Sequence, residues 1–253
     1  MAAPPSGAGV QTIICMRWGT AYGVEFVNKL FSMVRRHTTR PLHFICFTDD
    51  PDGLHPEISA RALPPIALPP GHEWKPWRKI ALWQRRLDDI EGDVLFLDLD
   101  VVVTGSIDDF FDYRPDATYC VIENWTQLGS GIGNTSVFRL RIGAHTEVHD
   151  ALTADPMGTV SRFSNSQTFV SRTISSLVFW PPGWCVSFKE DLLPAWPLNF
   201  VKPARLPQDA RVVCFPGHPN PDEARDGIWP SGPWYKRLYK HVRPTPWIAE
   251  HWR

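Results

Sequence analysis

The sequence predicts an α/β fold, a mainly parallel central sheet flanked by helices. Three observations carry this. The apolar runs 10–19, 42–50 and 93–103 read as strands, the last buried on both faces. Between the first two lies 22–37, where Val24, Val27, Leu30, Phe31 and Val34 recur at helical spacing. Strand, helix, strand in that order is the opening of a parallel sheet.

The elements follow in order. "VQTIICMRWG" (10–19) is a strand ending in a glycine-containing loop, and 22–37 is the first helix. "LHFICFTDD" (42–50) is a second strand that stops in acidic residues. Segment 51–73 is rich in proline and irregular, with a short strand near 58–63. "WRKIALWQRRLDDI" (77–90) reads as a helix, and "DVLFLDLDVVV" (93–103) as one continuous strand central to the sheet. "IDDFFDY" (107–113) gives a short helix, and 117–124 and 134–141 give strands around the glycine-rich "LGSGIG" (128–133). Segments 145–155 and 165–175 read as helices. "VVCFPGHPNPDEA" (212–224) is a late strand running into a Pro/Gly loop. The expected organisation is a flexible segment 1–9, one domain over 10–224, and a basic, aromatic tail over 225–253.

A chain of 253 residues has room for a sizeable core. Its net charge of −1 gives no general attraction to nucleic acid, and no nucleic-acid partner is expected. The 12 tryptophans supply either core packing or flat walls for sugars and bases. Cys15, Cys46, Cys120, Cys185 and Cys214 form no C-x-x-C pair and sit mostly in apolar runs, the pattern of reduced core thiols. Segment 1–9 lacks the charged and apolar regions of a signal peptide. No apolar run approaches the ~20 residues that cross a bilayer. A cytoplasmic location is expected, with peripheral contact at the cytosolic face of a membrane left open.

Asp98 and Asp100 stand inside the apolar run 93–103. A bare carboxylate pair is costly in a buried strand. Side chains at i and i+2 share a face, and open α/β sheets bind ligands at their carboxyl edge. Two carboxylates there offer an oxygen-rich site for Mg²⁺ or Mn²⁺. The plainer reading is a solvated turn at the strand end. Two enzyme classes use such a D-x-D string: glycosyltransferases of the GT-A type, and haloacid-dehalogenase-like Mg-dependent phosphatases. The phosphatase motif opens its domain and needs a later acidic pair. Here about 90 residues precede Asp98 and no G-D-x-x-x-D follows.

The remaining segments line up with one family. In order they are "MRWGTAYGVEFVNKLFSMVRRH", "FICFTDD", "WRKIALWQ", "VLFLDLDVVVTGSIDDFF", "NTSVFRL", "NSQTFVS", "WPPGWCVSFKED" and "VVCFPGHPNPDEA". This ordered set, from about Thr12 to Ala224, resembles bacterial GT-A glycosyltransferases related to family 8, the glycogenin and lipopolysaccharide galactosyl- and glucosyltransferase group. The resemblance implies a GT-A, Rossmann-like domain and a metal-dependent hexosyl transfer with retention. The donor would be a nucleotide-diphosphate sugar, UDP being the usual nucleotide. The acceptor would be a hydroxyl of a glycan or lipid-linked molecule in surface polysaccharide synthesis.

The resemblance also implies roles for individual residues. Arg17, Trp18 and Gly19 border the base and ribose. Lys79 approaches the diphosphate or donor sugar. Asp98 meets ribose and metal, and Asp100 meets the metal as part of the catalytic set. Asn134 and Ser136 line the donor-sugar pocket. Gln167 falls beside the anomeric carbon as a second catalytic candidate. Gly217 lies in a late loop that closes over the diphosphate.

Two positions depart from the family pattern. Its late metal-binding histidine corresponds to Pro216, which cannot ligate. His218, where related chains carry lysine, either replaces that ligand, contacts phosphate, or leaves the third ligand lost. The acid expected before Gln167 is Ser166. A non-catalytic, carbohydrate-binding relative is therefore kept as an alternative. An inverting reaction would need a carboxylate base, with Glu123, Glu190 and Asp191 as candidates.

In the tail, Arg225, Lys236, Arg237, Lys240, Arg243 and Arg253 outnumber Asp226 and Glu250, and Trp234, Tyr235, Tyr239, Trp247 and Trp252 interleave with them. This fits either packing on the domain or docking on an anionic membrane.

Overall fold

In the computed structural model, which describes residues 9–230 and 234–253, the chain opens with β1 (Gln11–Arg17), α1 (Val24–Arg36) and β2 (Leu42–Thr48). β1 and β2 pair in parallel, with α1 as the crossover. α1 buries Phe26, Val27, Leu30, Phe31, Met33 and Val34 and carries Arg35 and Arg36 in its last turn, where positive charge suits the helix dipole. β3 (Ser59–Ala62) and a 3₁₀ helix, Pro76–Trp83, lead to β4 (Asp93–Leu97) and β5 (Val101–Val103). Next come α2 (Asp108–Asp112), β6 (Tyr119–Glu123), β7 (Gly133–Arg141), α3 (Glu147–Ala154), α4 (Pro156–Arg162) and α5 (Ser166–Thr173). β8 (Val178–Phe179), β9 (Cys185–Ser187), β10 (Val212–Cys214), α6 (Pro221–Asp226) and α7 (Pro246–His251) complete the order.

The main sheet has the order β3-β2-β1-β4-β7-β6-β8, and a smaller sheet has the order β5-β10-β9. Only β7 runs against its neighbours in the main sheet; its pairs with β4 and β6 are antiparallel. Alternate side chains of β1 enter different cores. Ile13 and Cys15 meet α1 and the smaller sheet, while Ile14 and Met16 meet Trp77, Trp83 and the residues of α3 and α5. Both faces are therefore dry, and the strand sequences show no alternation. All five cysteines are free and buried, as their apolar settings predict.

The expected continuous strand over 93–103 is in fact two strands in two sheets. β4 ends at Leu97, and β5 resumes at Val101 against β10. Each half is apolar because each is buried in its own sheet, so the composition of the run does not reveal the break. The expected helix over 77–90 is a 3₁₀ helix that ends at Trp83. Beyond it, Leu87 bridges Ile90 in a tight turn with Asp88 at φ 51°, and Arg61 of β3 holds Asp88 (3.4 Å) and Asp89 (2.6 Å). α4 was not expected; Pro156 starts it and Asp155 caps it by accepting from the Gly158 amide at 2.9 Å.

Arg139 of β7 is 1% exposed and has no carboxylate partner among the described residues. Instead it donates to the carbonyls of Phe110 (2.7 Å), Tyr113 (2.7 Å) and Arg114 (2.6 Å), fastening the α2–β6 connection to the sheet. At the chain's end, Ile248 and Trp252 are buried. The Trp252 ring lies 5.2 Å from that of Phe26, and Lys29 Nζ sits 3.6 Å from its centroid. Arg36 donates to the His251 carbonyl at 2.5 Å. Among the described residues no helix is long and apolar enough to cross a membrane.

Candidate active site

The chain crosses from one sheet to the other at Asp98–Asp100. The Asp98 amide still donates to Ser136 O at 2.8 Å, and the Phe215 amide donates to Asp100 O at 3.0 Å. Leu99 turns into the core, 4% exposed, so the two flanking carboxyls turn outward together. They lie at the carboxyl end of β4, between two cavities that share them.

The first cavity, about 630 Å³, is lined by the β1–α1 loop, with Arg17, Trp18, Gly19 and Tyr22, and by Trp74 and Lys79. Gly19 has φ +62°, and an added Cβ would lie 2.9 Å from the Trp74 ring. Only glycine lets this loop lie flat against that indole. Trp74 is 68% exposed and offers a flat wall to the opening. Arg17 lines the cavity and also shapes the loop. It donates to Tyr22 O (3.2 Å) and Asp50 O (2.7 Å), and pairs with the Asp50 carboxylate (3.3 Å). The second cavity, about 510 Å³, is lined by Asn134, Thr135 and Ser136 of β7, by Asn165, Ser166 and Gln167, and by Pro216 and Gly217. Asn165 caps α5 by accepting from the Thr168 amide at 2.9 Å, which sets the first turn of that helix, with Gln167, at the cavity wall.

Lys79 stands between the two cavities. Its ammonium straddles the Asp98 carboxylate, 2.5 Å from Oδ1 and 2.7 Å from Oδ2, and lies 3.4 Å from Thr135 O. Asp100 lacks such a cation. Burial, with the Asp98 charge beside it, pushes its carboxyl up to about 7, while Lys79 and a hydrogen bond from Tyr22 oppose the shift. That bond runs from the Tyr22 hydroxyl to Asp100 Oδ2 at 3.1 Å. Burial and the two aspartates together push the Tyr22 phenol well above its usual range.

The donor set suits a hard divalent cation that completes its shell with water or phosphate oxygens. Two carboxylates share this wall, and burial first, then the Asp98 charge, makes Asp100 reluctant to ionise. His218 does not join them. Its Nδ1 lies 2.8 Å from Glu223 Oε2, its side chain is 56% exposed, and it lines neither cavity. The reason is local: Glu223 caps α6 by accepting from the Asn220 amide, and that same carboxylate holds His218. Among the described residues no group of three His, Cys, Asp or Glu is placed to hold a metal.

The sequence matches no protein-family model and no curated protein. Solved structures are similar in fold. The galactosyltransferase LgtC, in complex with donor and acceptor sugar analogs, superposes with a TM-score of 0.56 at 12% identity over 83% of this chain and 89% of its own. The bifunctional glycosyltransferase WbbM gives a TM-score of 0.56 at 12% identity, over 98% of this chain and 52% of its own. The glycosyltransferase GlyE of Streptococcus pneumoniae TIGR4 gives 0.52 at 12%, over 83% of this chain and 56% of its own.

The fold is GT-A.

In the GT-A frame, Trp18, Gly19, Lys79, Asp98, Asp100, Asn134, Ser136, Gln167 and Gly217 all line one or both cavities, with Arg17 at the wall of the first. Three further residues were not anticipated from sequence. Tyr22 bonds Asp100, Trp74 covers Gly19, and Lys189 reaches the late loop. Lys189 Nζ lies 3.7 Å from where a Gly217 Cβ would stand; Gly217 has φ +71°. Lys189 projects from a π-helical turn, Phe188–Leu192, a distortion common at functional sites. Burial pushes its ammonium down, with Lys240 adding to this and the charges of Glu190 and Asp100 opposing. Its signal was the segment "VSFKED", recognisable as part of the family order but silent on which side chain meets the late loop.

Proposed function

We propose that this chain is a glycosyltransferase that moves a hexose from a nucleotide-diphosphate sugar, a UDP-sugar by preference, to a hydroxyl of a glycan or lipid-linked acceptor. Surface polysaccharide synthesis is the setting this suits. The observation that carries the reading is the meeting of two cavities on Asp98, Asp100 and Lys79. A nucleotide fits the first cavity, its base against the Trp18–Trp74 side. The sugar fits the second, against the amides and hydroxyls of Asn134, Ser136 and Gln167. The diphosphate then lies at the shared wall.

Asp98 and Asp100 would hold Mg²⁺ or Mn²⁺, which neutralises charge on a departing nucleoside diphosphate. Lys79 fixes Asp98 in orientation and adds positive charge at the same wall. Tyr22 orients Asp100. Gln167 offers an uncharged amide where the sugar's anomeric carbon would lie. Retention is the favoured outcome, since the described lining of the second cavity holds no carboxylate beyond Asp98 and Asp100 to serve as a base. Two of the three candidate bases are engaged elsewhere, Glu123 accepting from the Gly129 amide at 2.7 Å and Asp191 from the Ser187 amide at 2.7 Å, and Glu190 lines neither cavity. The phosphatase alternative fits poorly, because β1, α1, β2 and β3 all precede the aspartates.

Titration calorimetry with UDP- and GDP-sugars, with and without Mn²⁺, tests the reading, alongside release of nucleotide from the donor. Donor binding that needs the metal and vanishes in Asp98→Asn and Asp100→Ala supports it. Binding of free oligosaccharide alone, with no nucleotide affinity, would assign the chain to a carbohydrate-binding role instead.

A further inference from the structure

We propose that segments 196–202 and 234–243 together form a face that docks this chain on an anionic phospholipid surface. Among the described residues, eight of the thirteen large hydrophobic side chains left exposed fall within 196–201 and 234–239. Exposed apolar side chains scattered singly need no explanation, but a cluster of this kind marks an interaction site. Trp196 is 66% exposed, Val201 68%, Trp234 75% and Leu238 63%.

The two segments are far apart in sequence but joined in space. Trp196 Nε1 donates to Leu238 O at 3.1 Å, and Asn199 Nδ2 donates to Tyr239 O (3.0 Å) and His241 O (2.9 Å). The Phe200 and His241 rings stack at 4.5 Å. The fold spends polar contacts on holding these backbones together, while the apolar side chains point outward.

Charge selects the occupant. The described side chains of segments 196–202 and 234–243 include Lys202, Lys236, Lys240 and Arg243, and the segments contain no Asp or Glu. Tryptophan and tyrosine interleaved with lysine and arginine suit the headgroup layer, where rings enter the interface and long basic chains meet lipid phosphate. A protein partner is a poorer fit, since lysine is depleted from protein interfaces. The net charge of −1 over the whole chain argues against nucleic acid as the source of negative charge.

Lys240 is a charge neighbour of Lys189, whose ammonium lies against Gly217 at the edge of the second cavity. If the cleft transfers sugar, as proposed above, an acceptor anchored in the bilayer would reach it from this side. The docking itself does not depend on that chemistry.

The test is co-sedimentation of the full chain with extruded vesicles of phosphatidylcholine alone or with phosphatidylglycerol added. Affinity for the anionic vesicles should exceed that for neutral ones about tenfold or more, and should fall as salt is raised. Both Trp234→Ala/Leu238→Ala and Lys236→Glu/Lys240→Glu should lose about tenfold, with thermal unfolding matching the parent. Equal affinity for both vesicle types, or none for either, overturns the proposal. So does a dimer in light scattering that Leu238→Glu splits, which would give the face to a second copy of the chain.

Discussion

The Lys79 ammonium lies within 2.7 Å of both carboxylate oxygens of Asp98, with the two side chains only 9% and 20% exposed. Two residues from different elements, the 3₁₀ helix and the end of β4, thus meet as a nearly dry ion pair at the wall between two cavities. Removing one partner leaves the other charged and poorly solvated. Lys79→Met should cost about 3 kcal/mol of stability. Adding Asp98→Asn should recover most of that loss without restoring donor turnover. Urea unfolding of the four proteins in the double-mutant cycle measures this. A single Lys79→Met variant as stable as the parent would show that the pair contributes nothing to the fold.

The pH dependence of stability follows from Asp100, whose carboxyl is pushed up to about 7 by burial and by Asp98. In the unfolded chain an aspartate titrates near ~3.9. Between those values the folded state keeps a proton that the unfolded state has released. Asp100 therefore contributes less to stability as pH rises through this window. In metal-free protein, Asp100→Asn should gain in melting temperature relative to the parent between about pH 5 and about pH 8. Tyr22→Phe should move the parent's midpoint higher, since it removes a hydrogen bond that favours the carboxylate. A difference in melting temperature that ignores pH contradicts the assignment.

Lys189 is a binding residue if its position against Gly217 is used by the donor. Lys189→Ala should raise KM for the nucleotide sugar about tenfold with a smaller effect on kcat, and Lys189→Arg should recover part of it. Unchanged KM in both variants would leave Lys189 as part of the π-helical turn only.

Arg139 tests the fold away from the cleft. Its guanidinium holds carbonyls of Phe110, Tyr113 and Arg114, the last of which also accepts from the Ala117 amide at 2.9 Å. Arg139→Met should destabilise by about 3 kcal/mol, because several buried carbonyls lose their donor at once. Arg139→Lys should recover little, since one ammonium cannot span the same fork. Equilibrium unfolding by circular dichroism reads both.

The opening strand–helix–strand order, the dry faces of β4, and the pairing of Asp98 with Asp100 on one side of the backbone were written in local sequence. Periodicity and i,i+2 parity act between near neighbours, and parity survives even where the strand bends. Tertiary structure alone decided the rest. That 93–103 divides between two sheets depends on β10, which arrives more than 100 residues later to pair with β5. That His218 turns from the aspartates depends on the capping of α6 by Glu223. That Lys189 faces Gly217, and that 196–202 joins 234–243, are contacts between distant segments. Local patterns record which side chains must be buried. They carry no record of which distant backbone does the burying, and that is what set the wall of the cleft.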